Sequence, residues 1–242
     1  MKKITLLLVL IPFISTAQYK DILKKTTEKI ITTTKTTNVL DISAGLKEAL
    51  NKGVKDQVSK LTAMDGFYKN EAVKILMPAE LAKVEKTLRK MGMGNLANEG
   101  IKSLNRAAED AVKEATPIFV SAIQNITIND AKSILLGNEN AATVYLQTAT
   151  TTALYAKFSP IVQQSIGKVG ADVIWASIIK KYNSIPFVSK VNPDITDYVT
   201  NKALEGVFKM ITVEEKSIRT DLKARTSDVL KDVFALQDKK QP

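Results

Sequence analysis

The sequence predicts an all-α protein, and three observations lead to that class. Apolar residues recur three and four positions apart along most of the chain, which is the spacing of a helix face. No long stretch alternates between polar and apolar residues, and no hairpin turns join the stretches rich in Val, Ile and Thr. Helix-ending Gly and Pro and helix-capping Asn and Thr recur between the periodic stretches. We therefore expect a single-domain bundle of about nine or ten helices.

The first predicted helix begins at Asp41 and ends at the turn Asp65-Gly66. Its apolar positions lie four residues apart along its length: Ile42, Leu46, Leu50, Val54 and Val58. A short helix over 67–76 follows. The next helix starts at Pro78, because Pro is well tolerated in a first helical turn.

Capping residues set the limits of the next two helices. Asn95 can cap a helix that Pro117 ends or kinks, since Pro interrupts a helix interior. Thr127 is a good cap for a helix over 128–136, and Gly137 is a good stop.

The middle third of the chain carries few charges. Residues 118–182 hold eight charged side chains in 65 positions, and residues 140–156 hold none. We predict a helix over 139–158, a further segment from Pro160 and a helix over 171–182. A helix that is neutral on most faces is usually interior. These weakly charged helices are therefore expected at the centre, wrapped by the amphipathic N- and C-terminal helices.

The C-terminal part is predicted to contain two helices. The first runs from the cap-and-Pro pair Asn192-Pro193 to about residue 218. The second is capped by Thr226 and turns four apolar residues inward: Val229, Leu230, Val233 and Phe234. The all-helical domain is therefore assigned to 41–236, with 237–242 as a tail.

Residues 1–17 have the layout of a secretory signal peptide. Lys2 and Lys3 precede a short apolar run, and small residues stand before the expected cleavage point at Gln18. The apolar run is about half of the roughly 20 residues that a membrane-spanning helix needs. Cleavage lowers the formal charge from +10 to +8. We expect an exported protein, periplasmic or extracellular, with a loosely ordered Thr/Lys-rich leader over 18–40.

The composition excludes several kinds of chemistry. The chain has no Cys and no His, so disulfides, thiol nucleophiles, zinc-thiolate sites and Ser-His-Asp catalysis are all ruled out. Only four of the 35 basic residues are Arg, whereas sequence-specific nucleic-acid readers depend on Arg. The sequence contains no Gly-rich phosphate loop. We expect a non-enzymatic protein with no cofactor, no bound metal and no nucleic-acid partner.

Nine short blocks give the chain a family resemblance. The blocks are Gly45-Leu46-Lys47-Glu48-Ala49-Leu50, Asp65-Gly66-Phe67, Asn105-Arg106-Ala107-Ala108-Glu109, Asp130-Ala131, Gly137, Ala141-Ala142-Thr143, Tyr198-Val199-Thr200, Glu214-Glu215-Lys216-Ser217-Ile218-Arg219 and Ala224-Arg225-Thr226. With these blocks, the chain resembles the exported bacterial family known as domain of unknown function 4197, to which no activity is assigned. One departure is that Asp221-Leu222 stands where the family favours a turn containing Pro. The resemblance implies an all-helical exported protein and suggests an apolar ligand.

Large apolar residues of the middle third are the candidate ligand-binding residues. The neutral segment is rich in Thr and Ala, which fill little space, and only 6% of the chain is aromatic. We therefore expect a cavity between the central helices for a fatty acid or lipid-like ligand. A fully packed core is the alternative for the same residues. They are Phe119, Ile123, Leu135, Tyr145, Leu146, Leu154, Phe158, Ile161, Ile174 and Trp175.

Arg106 is the candidate partner for an anionic head group of that ligand. It lies within one helical turn of Asn105 and Glu109 on an Ala-rich helix, and the Arg fork binds carboxylates in a bidentate manner. The alternative is an internal ion pair that joins two helices, with Glu214 or Glu215 as the partner.

A second charged cluster precedes the last helix and contains Glu214, Glu215, Arg219 and Arg225. One interpretation is a carboxylate site for acid–base chemistry or a cation. The alternative is a solvated or paired surface segment in which Glu215 and Arg219, four residues apart, form an ion pair.

Two functions are therefore considered. The first is an exported, non-enzymatic protein that binds a fatty acid or similar apolar small molecule, with transient contact to anionic membranes through its positive charge. The alternative is an interaction or structural protein of the cell envelope with a solid core and a basic surface.

Overall fold

The computed structural model describes residues 42–90, 92, 94–168 and 194–238, together with positions 172, 180, 183–184, 186–187 and 190. The expected signal peptide, the leader, Ile174, Trp175 and most of the predicted helix over 171–182 lie outside the described residues. The chain divides into two units, Met1–Ile42 and Ser43–Pro242. All described residues except Ile42 belong to the second unit.

All regular structure within these ranges is helical, without any strand, so the prediction of an all-α, single helical domain is confirmed. Helix α1 covers 42–62 of the described residues. The helices after it are α2 (Ala82–Lys90), α3 (Gly94–Val112), α4 (Ala115–Gln124), α5 (Ile128–Leu135), α6 (Ala141–Gly167), α7 (Ile195–Thr220) and α8 (Asp228–Asp238), with 3₁₀ turns at Ala79–Leu81 and Leu222–Ala224.

The predicted count of nine or ten helices is not matched, because seven helices follow α1 in the described ranges. The segment 67–76, predicted as a helix, forms turns and irregular chain instead. The predicted break at Pro160 is also wrong, since α6 continues through it. Pro160 lies on the exposed side of α6, where water can reach the carbonyl of Ala156 that lacks an N–H partner.

Helix α6 lies at the centre of the fold and packs against α3, α4, α5 and α7. Beside it, the rings of Phe119 and Phe208 meet edge to face with centroids 6.0 Å apart. The buried positions of α6 lie four residues apart throughout: Ala142, Leu146, Thr150, Leu154, Phe158, Val162 and Ile166. Because a helix turns every 3.6 residues, a stripe of this spacing winds slowly around it.

Helix α6 lies at the centre as expected, but it is not buried all round, because the stripe opposite its buried positions faces solvent. Six positions of α6 four residues apart are exposed, and Lys168 just after the helix continues the spacing. The six are Val144, Thr148, Thr152, Ala156, Pro160 and Gln164. The neutral residues that predicted a buried helix therefore form much of an outer surface.

The last helix extends to Asp238 and so includes Gln237 and Asp238, which the sequence analysis placed in the tail. The described part of the chain contains no helix with an apolar stretch long enough to cross a membrane.

Candidate functional site

The residues predicted to line a ligand cavity are packed in the core. Six of them expose at most 2% of their surface: Phe119, Ile123, Leu135, Leu146, Leu154 and Phe158. Tyr145 and Ile161 are half-buried, and burial raises the pKa of the Tyr145 phenol. None of these eight side chains lines either of the two pockets described next.

A small pocket lies between α1, α7 and α8. Its volume is about 30 Å³, and its walls include Leu46, Val54, Ile211 and Phe234. This is room for two or three water molecules, at roughly 10–15 Å³ each. Pockets for drug-sized ligands start at about 300 Å³. The pocket cannot hold an acyl chain unless α1 or α8 moves.

A larger concavity of about 430 Å³ lies along α2 and is open to solvent. Its lining residues all belong to that one helix: Ala82, Glu85, Lys86, Arg89 and Lys90. One helix surface cannot surround a ligand, so this concavity does not form a binding cavity.

Arg106 is engaged by two carboxylates of its own fold. Its guanidinium donates to Glu109 in the next turn of α3 and to Asp65 in the turn after α1. The internal ion pair considered for Arg106 is therefore present, but Glu214 and Glu215 are not the partners. The hydrogen bond from Lys69, together with the charge of Arg106, lowers the pKa of Asp65.

Glu109 fixes the segment after α1 to α3. One of its carboxylate oxygens accepts the backbone N–H groups of Phe67 at 3.0 Å and Tyr68 at 3.3 Å. Asp65 and Gly66 make the turn possible. Asp65 has a φ of 67°, in the left-handed region that Asp tolerates better than most residues. A Cβ on Gly66 would lie 2.4 Å from the carbonyl oxygen of Leu61.

Asn105 binds the segment after that turn and explains why it is not helical around Ile75. Its side-chain oxygen accepts the N–H of Ile75, and its side-chain nitrogen donates to the carbonyl of the same residue, both at 2.8 Å. The amide of Asn105 thus satisfies both backbone groups of a buried residue. The three polar residues of the block 105–109 therefore all hold the segment 65–75.

Glu215 and Arg219 form a buried ion pair on α7 that also holds the ends of two other helices. Glu215 accepts the N–H groups of Ala142 and Thr143, both at 2.8 Å, in the first turn of α6. Arg219 donates to the carbonyls of Ile134 at 2.7 Å and Leu135 at 3.1 Å, which end α5. The predicted pairing of Glu215 with Arg219 is confirmed. The expected surface position is wrong, because both side chains are buried.

Arg225 holds the end of α7 and the end of α8 together. It donates to the carbonyls of Ile218 and Arg219 and, through two nitrogens, to both carboxylate oxygens of Asp238. Its hydrogen bond lowers the pKa of Asp238. Arg219 and Arg225 both lie over the ring of Phe234, at 5.5 and 5.6 Å from its centroid.

The sequence analysis missed three of these participants: Asp65, Gln237 and Asp238. Asp65 was treated only as a turn residue, and nothing local in the sequence indicates a partner 41 positions away. Gln237, which accepts from Arg219, and Asp238 were placed beyond the last helix. Within the described ranges, no group of three or more acidic residues is arranged to hold a metal ion.

Comparison with known families identifies the chain. The model of the family described as "Protein of unknown function (DUF4197)" matches residues 17–235. Neither a curated protein nor a solved structure shows significant similarity. The family match covers most of the chain and agrees with the resemblance carried by the nine sequence blocks. The chain therefore belongs to the DUF4197 family of proteins of unknown function.

Proposed function

We propose that this chain is an exported, non-enzymatic protein of the cell envelope that acts through its basic surface and has a solid helical core. The packing of the middle third supports this function most directly. The six large side chains expected to enclose a ligand expose at most 2% of their surface, and the pockets described lie elsewhere.

The use of the arginines gives further support. Arg106, Arg219 and Arg225 each bind carboxylates or backbone carbonyls of the same chain. Their guanidinium groups are therefore already hydrogen-bonded within the fold and are not available to bind the head group of a ligand. The exposed positive charge comes mainly from lysines, such as Lys55 and Lys60 on α1. Such a surface suits reversible attraction to an anionic envelope component.

The test is binding of the purified mature protein, residues 18–242, to isolated cell envelopes. We expect binding at about 50 mM salt and its loss at about 500 mM, because added salt screens attraction between exposed charges. Absence of binding at low salt contradicts the proposal. Binding that is equally strong at both salt concentrations contradicts the role given to the basic surface.

Binding of an apolar small molecule is the second candidate function. The small pocket between α1, α7 and α8 favours it, because apolar residues such as Leu46 and Phe234 form much of its wall. An acyl chain would enter there only if α1 or α8 swung outward. Native mass spectrometry and organic extraction of detergent-free protein test this candidate. A fatty acid that co-purifies at one copy per protein would favour ligand binding over the envelope function with a solid core. A measured mass equal to that of the protein alone would count against ligand binding.

A further inference from the structure

We propose that α8 is a lid over an apolar groove between α1 and α7, and that the open groove binds a single-chain fatty carboxylate. This binding is compatible with the proposed envelope function, because α1, α7 and α8 all lie outside the packed middle third of the chain. It rests on the second candidate function and names its site, its moving element and its class of ligand.

The groove under α8 has apolar walls. The apolar side chains of these walls include Leu46, Leu50 and Val54 of α1 and Ile211 and Ile218 of α7. Helix α8 closes the groove with Leu230 and Phe234 but leaves about 30 Å³ unfilled. Removal of this 11-residue helix would open a trench about 16 Å long, at 1.5 Å per residue. A trench of that length suits a medium-length acyl chain.

Helix α8 is attached to the fold by few polar contacts. Among the described residues, its side chains form hydrogen bonds to the rest of the fold only through Gln237 and Asp238, at its C-terminal end. Helix α1 is held at separate points along its length, where Lys47 donates to a carbonyl at the end of α4 and Gln57 donates to Glu214. Of the two outer walls of the groove, α8 is therefore the one that can move more readily.

The docked α8 occupies its site with the two features of a fatty carboxylate. The carboxylate of Asp238 accepts from two nitrogens of Arg225 at 2.5 and 2.9 Å, which is a bidentate pair. One helical turn earlier, Phe234 is buried at the groove, and Arg219 and Arg225 both lie over its ring. A ligand with a carboxylate beside an apolar chain would compete for the same contacts.

Opening of the lid would free the charge of Arg225. This side chain is buried, and Asp238 is its only acidic partner among the described residues. Arg219 would keep Glu215 as its partner, whereas Arg225 would keep only backbone carbonyls. A buried cation without a counter-charge is unfavourable. A ligand that brings a carboxylate to one end of the apolar groove removes that cost, and a neutral hydrocarbon does not.

The first experiment is isothermal titration calorimetry of the mature protein with dodecanoate, below the concentration at which dodecanoate forms micelles. Asp238→Asn should bind dodecanoate about threefold or more tightly than the wild type, because the weaker latch makes opening easier. Dodecyltrimethylammonium, which has the same chain and the opposite charge, should bind at least about tenfold more weakly than dodecanoate. Equal affinity for the two amphiphiles overturns the role of Arg225.

The matched control is Asp232→Asn, which makes the same change of charge on the same helix. Asp232 is exposed and forms no ion pair with a described residue, so this variant should bind dodecanoate as the wild type does. Circular dichroism should show both variants folded, because the Asp238 side chain is also 44% exposed. Equal tightening by the two variants overturns the latch between Asp238 and Arg225.

Hydrogen exchange measures the movement of α8 directly. Saturation with dodecanoate should raise exchange in Asp228–Asp238 by about fivefold or more and leave α3 unchanged, because only the lid is displaced. Unchanged or slower exchange in α8 overturns the lid. Absence of dodecanoate binding by both the wild type and Asp238→Asn overturns the class of ligand.

The outcomes for the lid and for the proposed function are separate. If the protein binds envelopes in a salt-dependent manner but binds no dodecanoate, the lid proposal is overturned and the envelope function stands. If it binds dodecanoate with displacement of α8 but does not bind envelopes, the lid proposal stands and the envelope function is overturned.

Discussion

Two buried glutamates have the same arrangement in different parts of the fold. Glu109 accepts two consecutive backbone N–H groups of the segment after α1 and binds Arg106. Glu215 accepts two consecutive N–H groups at the start of α6 and binds Arg219. A carboxylate has enough acceptor sites to satisfy both amides and the cation together. Each glutamate therefore pairs with one arginine while fixing the start of another segment.

Arg106→Ala should lower the free energy of unfolding by about 1–3 kcal/mol. Glu109, whose side chain is 5% exposed, would lose its cation but keep its two N–H donors, and Arg106 itself is one-third exposed. Denaturant titration measures the loss. The control is Arg89→Ala, which breaks an exposed pair with Glu85 and should cost less than about 1 kcal/mol. Equal losses in the two variants would contradict a special role for Arg106.

Replacement by Ala should change the stability of the protein in opposite directions at two helical glycines. A Cβ on Gly206 of α7 would lie 2.6 Å from Phe67, whereas one on Gly53 of α1 would meet Glu214 at an ordinary 3.8 Å. Gly53→Ala should raise the free energy of unfolding by about 0.5–1 kcal/mol through helix propensity. Gly206→Ala should lower it by about 1–3 kcal/mol through overpacking. Thermal unfolding of both variants tests the pair, and stabilisation by Gly206→Ala would contradict the close approach.

At the scale of elements, α7 organises its neighbours by holding the ends of helices. Its buried pair, Glu215 and Arg219, satisfies N–H groups at the start of α6 and carbonyls at the end of α5. These backbone groups have no partner inside their own helices. The connection between α5 and α6 is thus fixed by a third helix.

Glu215→Gln should lower the free energy of unfolding by about 3 kcal/mol, because it leaves Arg219 buried without a counter-charge. Hydrogen exchange should rise first in the pair Ala142 and Thr143, because these amides bind different oxygens of Glu215 and Gln keeps only one acceptor oxygen. The control is the adjacent Glu214→Gln, since Glu214 is half-buried and accepts from Gln57 alone in the described structure. The control variant should lose about 1 kcal/mol of its free energy of unfolding. Unchanged exchange at α6 in Glu215→Gln would contradict the capping role.

The attachment of α8 should depend on pH. The hydrogen bond from Arg225 lowers the pKa of Asp238 from its ordinary 3.8. A carboxyl with a lowered pKa stabilises the folded state above its unfolded pKa, and the contribution disappears as pH falls through the folded pKa. Between about pH 5 and pH 2, stability of the wild type should therefore fall more than that of Asp238→Asn. Asp65 and Asp130 also have lowered pKa values but titrate in both proteins, so parallel curves would contradict the proposed attachment.

Element limits set by local chemistry could be predicted from the sequence. The helix capped by Thr127 and stopped before Gly137 is present, with a capping box between Thr127 and Asp130. The helix predicted over 67–76 is absent because Asn105 and Glu109 bind its backbone from 30 or more positions away. Such contacts leave no periodic signal in the segment that they hold.

At the scale of the whole molecule, the sequence suggested a hollow centre because α6 was expected to bury its Thr and Ala residues. The buried stripe with spacing of four winds around the helix and carries most of its large residues, such as Leu154 and Phe158, into the core. Only three of the ten Thr and Ala residues of α6 are buried, and five of them are exposed. The same composition therefore fits a filled core. Only the direction in which each side chain points distinguishes a filled core from a hollow centre.

The cost of removing one core ring distinguishes a filled centre from a ligand cavity. Phe158 is fully buried in α6, so Phe158→Ala should lower the free energy of unfolding by about 3–5 kcal/mol through lost burial and a new cavity. On the same helix, Val144 is 49% exposed, and Val144→Ala should change stability by less than about 0.5 kcal/mol. Denaturant titration of both variants gives the comparison. If Phe158 instead lined a ligand-sized space, its ring would already lack neighbours on one side, and its loss would cost little more than that of Val144.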